Sequence, residues 1–516
     1  MDNNFRDLPK SYWLDSTPDT NYPSLENDID VDIVIIGGGL TGLNTAYLLQ
    51  KEKLKVAIIE AEKICKGTTA YTTAKITSQH GLIYSKIQGK FGEEMASLYG
   101  KSNENAIKMY EDIINENQID CDFVSQSAFV FTQEDKYARK IKEEVEISQK
   151  LGIDAFYTDE LPFPIDIKGA IGFNNQAQFH PRKYLLALAN IIQNKVQIYE
   201  NTRAVDIEED NGYIITTEQG KKMKARKVII ASHYPFYNKK GMYFSKIFPK
   251  KSCIIGIKAE EKYPGGMYIN AEKPTRSLRH QTTSDGELIL VVGGYPSVGK
   301  REDTNKNYEA LIEFAHSIFT VEDIPYRWST QDYITLDEIP YIGYFTPDTP
   351  DMYIATGFQK WGMTNSMVSA MIIRDLIING ESPWQEVYDP SRKNIIASAK
   401  NFIVENLNVA SSLLSGKLSP LPEDINLKPG EASVIKLDGD RIGAYRDEEG
   451  VLHFVNTTCT HMGCELNWNS AERTWDCPCH GSRFDIEGKI IQGPAVEPLK
   501  AGNNVNTIKK LLEEDF

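Results

Sequence analysis

The run Val31 to Ile36 is almost wholly apolar and too short for a helix, which predicts a strand buried on both faces. It ends in Gly37-Gly38-Gly39-Leu40-Thr41-Gly42, after which Leu43, Ala46 and Tyr47 recur at helical spacing. A second run, Val56-Ala57-Ile58-Ile59, stops at Glu60. Strand, glycine turn, helix and strand in that order open an α/β domain. Much later the pattern changes. Around Asn401 to Gly430, Ser411-Ser412, Ser415-Gly416 and Ser419-Pro420-Leu421-Pro422 mark a connecting segment. Beyond it, Ala432 to Leu437 and Arg441 to Tyr445 alternate as strands of a small all-β domain. The expected layout is an arm over 1–29, an α/β domain over 30–400, a linker over 401–426 and a β domain over 427–516. The Lys- and Glu-rich stretch from 133 to 150 predicts a solvated helix.

With 516 residues, 41% hydrophobic and 25% charged, the chain has ample material for two or three cores. A net charge of -15 argues against nucleic acid and anionic membrane surfaces as partners, since phosphates would be repelled. The N-terminus lacks a basic and apolar signal region, and no apolar run approaches the roughly eighteen residues of a spanning helix. The expectation is a cytoplasmic protein without an integral membrane segment. Of seven cysteines, Cys65, Cys121 and Cys253 are scattered and read as small buried hydrophobes.

The other four carry chemistry. Cys459-Thr460-His461-Met462-Gly463-Cys464 is answered by Cys477-Pro478-Cys479-His480-Gly481-Ser482. Each half offers a thiolate and an imidazole, so Cys459, His461, Cys477 and His480 are candidate ligands supplying two sulfurs and two nitrogens to one metal centre. Structural zinc is the alternative, but zinc modules group like ligands, whereas Cys and His alternate here. At the other end, Gly37 permits a tight turn, Gly39 lets a pyrophosphate approach the backbone, and Gly42 lets the helix pack on the strand. Glu60 stands where a ribose would donate to it. These features indicate a dinucleotide without separating NAD from FAD. Gly294-Tyr295-Pro296-Ser297-Val298-Gly299-Lys300 satisfies G-x-x-x-x-G-K, but Arg301 replaces the Ser or Thr that a P-loop needs, so it reads as a hairpin or substrate-domain turn.

The stretch Lys66-Gly67-Thr68-Thr69-Ala70-Tyr71-Thr72-Thr73-Ala74 resembles the hydroxyl-rich loop by which the D-amino-acid oxidase and glycine oxidase (DAO) superfamily wraps its FAD pyrophosphate. Further blocks resemble that family: Phe179-His180-Pro181 with Leu185, Thr202-Arg203-Ala204-Val205, Lys227 to Ser232, Pro340 to Gly343, Met352 to Phe358, and Gly362-Met363-Thr364 opening a helix. The resemblance spans about 30 to 385, with a poor match from about 85 to 165. It implies a Rossmann-like FAD-binding domain with an interleaved antiparallel-sheet substrate domain. The implied FAD-binding residues are Gly37, Gly39, Leu40, Thr41, Gly42, Glu60, Gly67, Thr68, Thr72, Thr73, Val205, Ala231, Gly357, Gly362, Met363 and Thr364. The C-terminal segment resembles Rieske proteins of the cytochrome bc type, implying a 2Fe-2S cluster on the four ligands and a Cys464–Cys479 disulfide. Ser482 then falls at the family's sulfide donor, Phe484 replaces a donor tyrosine, and Gly493-Pro494-Ala495 covers the cluster. Two imidazoles place the potential in a range of about -150 to +300 mV, and the missing donor suggests its middle.

On the substrate side, the glycine oxidase branch holds a carboxylate with an arginine after its tryptophan. Counting from Trp328 puts Asp332 there, which favours a cationic amine. The neighbouring family arginine aligns with Lys360, and Trp361 offers an aromatic face. Arg276, Arg279 and Arg327 are further anion-binding candidates, and Cys65 a conceivable covalent flavin attachment. The resulting expectation is a flavin-dependent dehydrogenase acting on a C–N bond of a small amine-type substrate. It would pass electrons singly to the cluster and on to an external carrier protein or quinone. An NAD(P)H-fed reductase is the alternative, against which no second G-x-G-x-x-G follows a strand; a redox sensor is the third class.

Overall fold

The computed structural model describes residues 7–294, 298–300, 303–392, 406–407, 409, 411–413, 421, 426–437 and 440–500. Most of the linker assigned to 401–426, and Tyr295, Pro296, Ser297 and Arg301 of the G-x-x-x-x-G-K segment, lie outside these residues. Two compact units are formed.

The larger unit holds two sheets. In the first, strand Ile29–Ile36 lies between Lys222–Ile230 and Val56–Ile59, all parallel, with Met352–Thr356 and Val196–Tyr199 extending the parallel set on either side. Such a strand is covered on both faces, which is why its last four positions, Ile33 to Ile36, are all buried and all apolar. The crossover helix Leu40–Leu49 buries nearly every side chain, polar ones included. It can lie that close because Gly42 has no Cβ, which would sit 1.9 Å from the Gly37 carbonyl oxygen. The second sheet has nine strands, mostly antiparallel, and includes Val321–Thr335, Ile247–Ala259, Gly286–Gly293, Arg276–Thr283, Met267–Asn270, Val124–Thr132, Gly169–Gln178 and Lys75–Ile76. The poorly matched stretch forms helices Tyr84–Phe91, Glu93–Asn117 and Asp135–Lys150 around two strands of this sheet. The expected solvated helix is Asp135–Lys150, yet Glu144 is buried, its carboxylate accepting from the Tyr84 and Ser85 amides at 2.7 and 2.9 Å.

The smaller unit is all β over its C-terminal part. Ala432–Leu437, Asp440–Arg446 and Leu452–Asn456 form one antiparallel sheet, and Asn467–Asn469, Thr474–Asp476, Arg483–Phe484 and Ile490–Gln492 form another. Residues 298–300 and 303–306, which sequence alone assigned to the α/β domain, group with this unit.

Candidate flavin pocket and candidate cluster site

The glycine turn follows strand Ile29–Ile36 directly. The Glu60 carboxylate accepts from the Gly38 amide at 2.8 Å and the Glu62 amide at 3.1 Å. Burial raises its pKa and these two amides counter the rise. Thr69 Oγ1 accepts from the Leu40 amide at 3.3 Å, which brings the hydroxyl-rich loop to the start of helix Leu40–Leu49. The ladder of strand Ala204–Glu209 shifts register between Ala204 and Asp206, leaving Val205 out of the pairing. Ala231 follows its strand and donates to the Ile36 carbonyl at 2.9 Å.

The loop around Thr68–Tyr71 is held from behind by a set of donors that sequence reading missed. Ala70 O accepts from Ser11 Oγ at 2.5 Å, Tyr71 O from Trp328 Nε1 at 3.0 Å, and Thr72 O from Trp13 Nε1 at 2.7 Å. Thr73 O and Ala74 O both accept from Arg279 Nη1, at 2.9 and 3.0 Å. Five consecutive carbonyls are thus satisfied by the protein itself. Arg279 is fully buried and occupied here, which corrects its reading as an anion binder for substrate. Arg327 lies over the Tyr308 ring and Arg276 over Phe314.

Helix Gly362–Asn379 begins after Trp361, which gives no side-chain cap, and Gly357 takes a φ of +76° in the turn before it. His80, another residue the sequence did not single out, braces this start. It stacks on Trp361 at 4.9 Å between centroids, bonds Tyr99 OH at 2.6 Å and lies 3.0 Å from Thr364 Oγ1. Burial pushes its pKa down to about 3, so it is a neutral strut. A cavity between this helix start and the hydroxyl-rich loop is lined by Thr72, Thr73, Lys75, Ser252, Lys360 and Trp361, among others. Lys360 bonds Ser252 Oγ and lies 3.7 Å from Asp332. Burial raises the Asp332 pKa and lowers that of Lys360, each opposed by the partner. Lys360 lines the cavity and Asp332 stands as its counter-ion, so the carboxylate expected to attract a cation is already compensated. Cys65 is buried, and its thiol pKa is driven far up by desolvation.

In the smaller unit the two cysteine loops repeat one turn. Cys459 N donates to Cys464 O at 2.8 Å and Gly463 N to Cys459 O at 2.9 Å; Cys477 N donates to Ser482 O at 2.8 Å and Gly481 N to Cys477 O at 3.1 Å. Gly463 and Gly481 occupy equivalent places with φ of 73° and 81°, which a side chain would strain. The turns bring His461 and His480 together at 5.0 Å between ring centroids. The free Cys459 and Cys477 thiols share a hydrogen bond that lowers the Cys459 pKa to about 7 and raises that of Cys477. Burial lowers the His461 pKa to about 4 and that of His480 to about 3, so both rings are neutral, as metal binding requires. Cys464 and Cys479 form a disulfide, whose sulfurs lie within 4.8 Å of the Cys477 sulfur. Buried Ser482 accepts from the Ala495 amide at 3.1 Å, tying in the Gly493-Pro494-Ala495 segment, and Phe484 is fully buried. Two thiols, two neutral imidazoles and a clamped pair of loops fit an iron–sulfur cluster.

Residues of the G-x-x-x-x-G-K segment lie against the second loop. A Cβ on Gly299 would meet Pro478 N at 2.5 Å and Asp476 O at 2.7 Å. The Gly299 carbonyl accepts from Asn467 Nδ2 at 2.6 Å, Thr304 Oγ1 donates to Asn469 Oδ1 at 2.8 Å and accepts from the Ala471 amide at 3.0 Å. Its described residues pack on the unit that carries the cysteine loops. No helix among the described residues is long and apolar enough to cross a membrane.

Residues 32–376 match the FAD dependent oxidoreductase (DAO) family, and 419–507 match the Rieske [2Fe-2S] domain. The chain is 42% identical over 497 residues to the putative Rieske 2Fe-2S iron-sulfur protein YhfW of Bacillus subtilis (strain 168), covering 96% of this chain and 98% of that one. It is 22% identical over 380 residues to gamma-glutamylputrescine oxidoreductase of Escherichia coli (strain K12), covering 69% and 85%. Glycine oxidase from Geobacillus kaustophilus shares the fold with a TM-score of 0.58 at 18% identity, over 70% of this chain and 99% of that one. The chain therefore belongs to the FAD-dependent oxidoreductases of the DAO family and carries a C-terminal Rieske domain, with FAD and a 2Fe-2S cluster as its cofactors.

Proposed function

We propose that this oxidoreductase removes two electrons from a C–N bond of a small amine or amino-acid-like substrate and delivers them singly, through the cluster, to an external carrier protein or quinone. The observation that carries this reading is the lysine-lined cavity between the hydroxyl-rich loop and the start of helix Gly362–Asn379, in a chain with a one-electron centre of its own. When bound, FAD supplies two-electron acceptance and one-electron release.

The chain's own residues divide the remaining work. Gly37, Gly39, Leu40, Thr41 and Gly42 present the helix amides to the pyrophosphate, and Glu60 receives the ribose. Gly67, Thr68, Thr72 and Thr73 would close over the cofactor, the Thr72 and Thr73 carbonyls being turned back to Trp13 and Arg279; Val205 and Ala231 would serve the adenosine side, and Gly357, Gly362, Met363 and Thr364 the ring side. That helix start favours negative charge on the ring. Lys360, backed by Asp332, orients the substrate in the cavity. Cys459, Cys477, His461 and His480 hold the irons, and the Cys464–Cys479 bond keeps their loops registered.

The test is anaerobic mixing of the holoprotein with glycine, γ-glutamylputrescine and a panel of primary and secondary amines, with NADH and NADPH as separate arms. Flavin bleaching followed by the paramagnetic signal of the reduced cluster on adding an amine supports the reading. Reduction by NADH or NADPH alone overturns it in favour of a reductase.

A further inference from the structure

Lys75 stands in strand Lys75–Ile76, and its half-buried side chain lines the cavity. Its ammonium nitrogen bonds the Ser277 hydroxyl and lies 3.3 Å from the Tyr268 carbonyl oxygen, two uncharged groups. Strand Arg276–Thr283 contributes Arg279 as the charged group acting on it, Gln178 faces it in the ladder from Gly169–Gln178, and Lys360 shares its cavity. Among the described residues no carboxylate bonds it, and Asp332 pairs with Lys360. A cation half-buried beside other cations without a counter-charge is more stable neutral. Burial, reinforced by Arg279, accordingly pushes its pKa down to about 7.

A neutral amine in this place has a use that the oxidation itself creates. Amines and amino acids reach an enzyme mainly as ammonium ions, and an ammonium ion has no nitrogen lone pair to stabilise the carbon as its hydride departs. One proton must leave the nitrogen first. We propose that Lys75 is the proton acceptor that converts the bound substrate ammonium into the reactive amine. The N–H bond of the substrate breaks with its electron pair remaining on nitrogen, the proton passes to Lys75 Nζ, and the lysine ammonium later releases it to solvent. No oxidant is consumed in this step. The inference rests on the amine-oxidation reading above.

The experiment is stopped-flow flavin reduction as a function of pH, using whichever panel amine reduces the wild type fastest, with Lys75→Met, Lys75→Gln and Lys75→Arg. In the wild type the reduction rate rises through pH about 7. Lys75→Met and Lys75→Gln lose about a hundred- to ten-thousand-fold at neutral pH, the span of general-base catalysis. They recover as pH climbs toward the substrate's own ammonium range, about 10 for an alkylamine, and added methylamine restores part of the rate. Lys75→Arg, which keeps a cation but cannot accept a proton, is as slow as Lys75→Met. A Lys75→Arg variant near wild-type rate, or variants that keep the wild-type pH profile, overturns the assignment. So does a neutral-pH limb that disappears in Asp332→Asn instead. Flavin content and visible spectrum identify folded variants, and Lys75→Gln replaces Lys75→Met if the latter loses FAD. If no amine reduces even the wild type, the amine reading fails; if the wild type is reduced and these variants behave like it, only the role of Lys75 fails.

Discussion

Trp13 offers the cleanest single-atom perturbation of the flavin loop. Its ring is fully buried and its Nε1 donates to Thr72 O at 2.7 Å. Trp13→Phe keeps an aromatic ring in place, including the packing that Arg279 makes at 5.4 Å, while removing the donor. In the apoprotein the loop can relax so that water reaches the orphaned carbonyl. In the holoprotein the cofactor fixes the loop, and the carbonyl stays buried without a partner. An unsatisfied buried acceptor costs about 1–3 kcal/mol, and taking ~1–2 kcal/mol of it as expressed on binding weakens FAD roughly 5- to 30-fold. Titration of the apoprotein with FAD, followed by quenching of flavin fluorescence, measures this directly. A dissociation constant within twofold of wild type would show that the carbonyl bracing does not position the loop, and would remove the physical basis for assigning Thr72 and Thr73 to the cofactor.

Gly299→Val forces a side chain into Pro478 and Asp476 and strains a φ of +60°; it should disturb the cluster's paramagnetic spectrum or its iron content while flavin reduction by substrate stays unchanged. Cys464→Ser with Cys479→Ser should cost the smaller unit about 3 kcal/mol for a closed loop of this size and make cluster loss on mild heating faster, read as bleaching of visible absorbance. Asp337 is bound on both oxygens by Arg392 at 2.7 Å, and although burial opposes it, this pairing holds the carboxyl below its ordinary range. The folded pKa is depressed, so the stabilisation is present above the unfolded value of about 3.9 and is lost as pH falls through the folded one. Asp337→Asn should destabilise the larger unit by about 3–5 kcal/mol at neutral pH, with a smaller difference in acid, measured by denaturant unfolding.

What the sequence revealed was chemistry carried by near neighbours in the chain. The glycine turn, Glu60 at the end of the next strand, and the paired Cys and His loops each lie within a short stretch, because one strand end or one tight turn must present them together. Lys75, His80 and the carbonyl brace were not legible. Trp13 and Thr72 are 59 residues apart, Arg279 and Thr73 are 206 apart, and His80 and Thr364 are 284 apart, and no local period encodes such meetings. Asp332 was found by counting along a strand, but its neutralisation by Lys360 depends on which residue of a different segment packs beside it. The G-x-x-x-x-G-K segment, read as a hairpin or substrate-domain turn, has its glycine at a close approach to the protein's own backbone at Asp476 and Pro478, a meeting its local pattern does not encode.

That segment also bears on how such a chain can be dissected or recombined. A flavoenzyme with an iron–sulfur module simply appended would yield both halves to a single cut near residue 400. Here residues 298–300 and 303–306 belong to the smaller unit although long runs of the larger one precede and follow them. An excised tail would leave Gly299 and Thr304 behind, exposing Asn467 and the backbone of the Cys477 turn. A transplanted head would carry Gly299 and Thr304 without their partners. Shuffling by whole-module exchange is therefore penalised, and the two redox halves are constrained to change together.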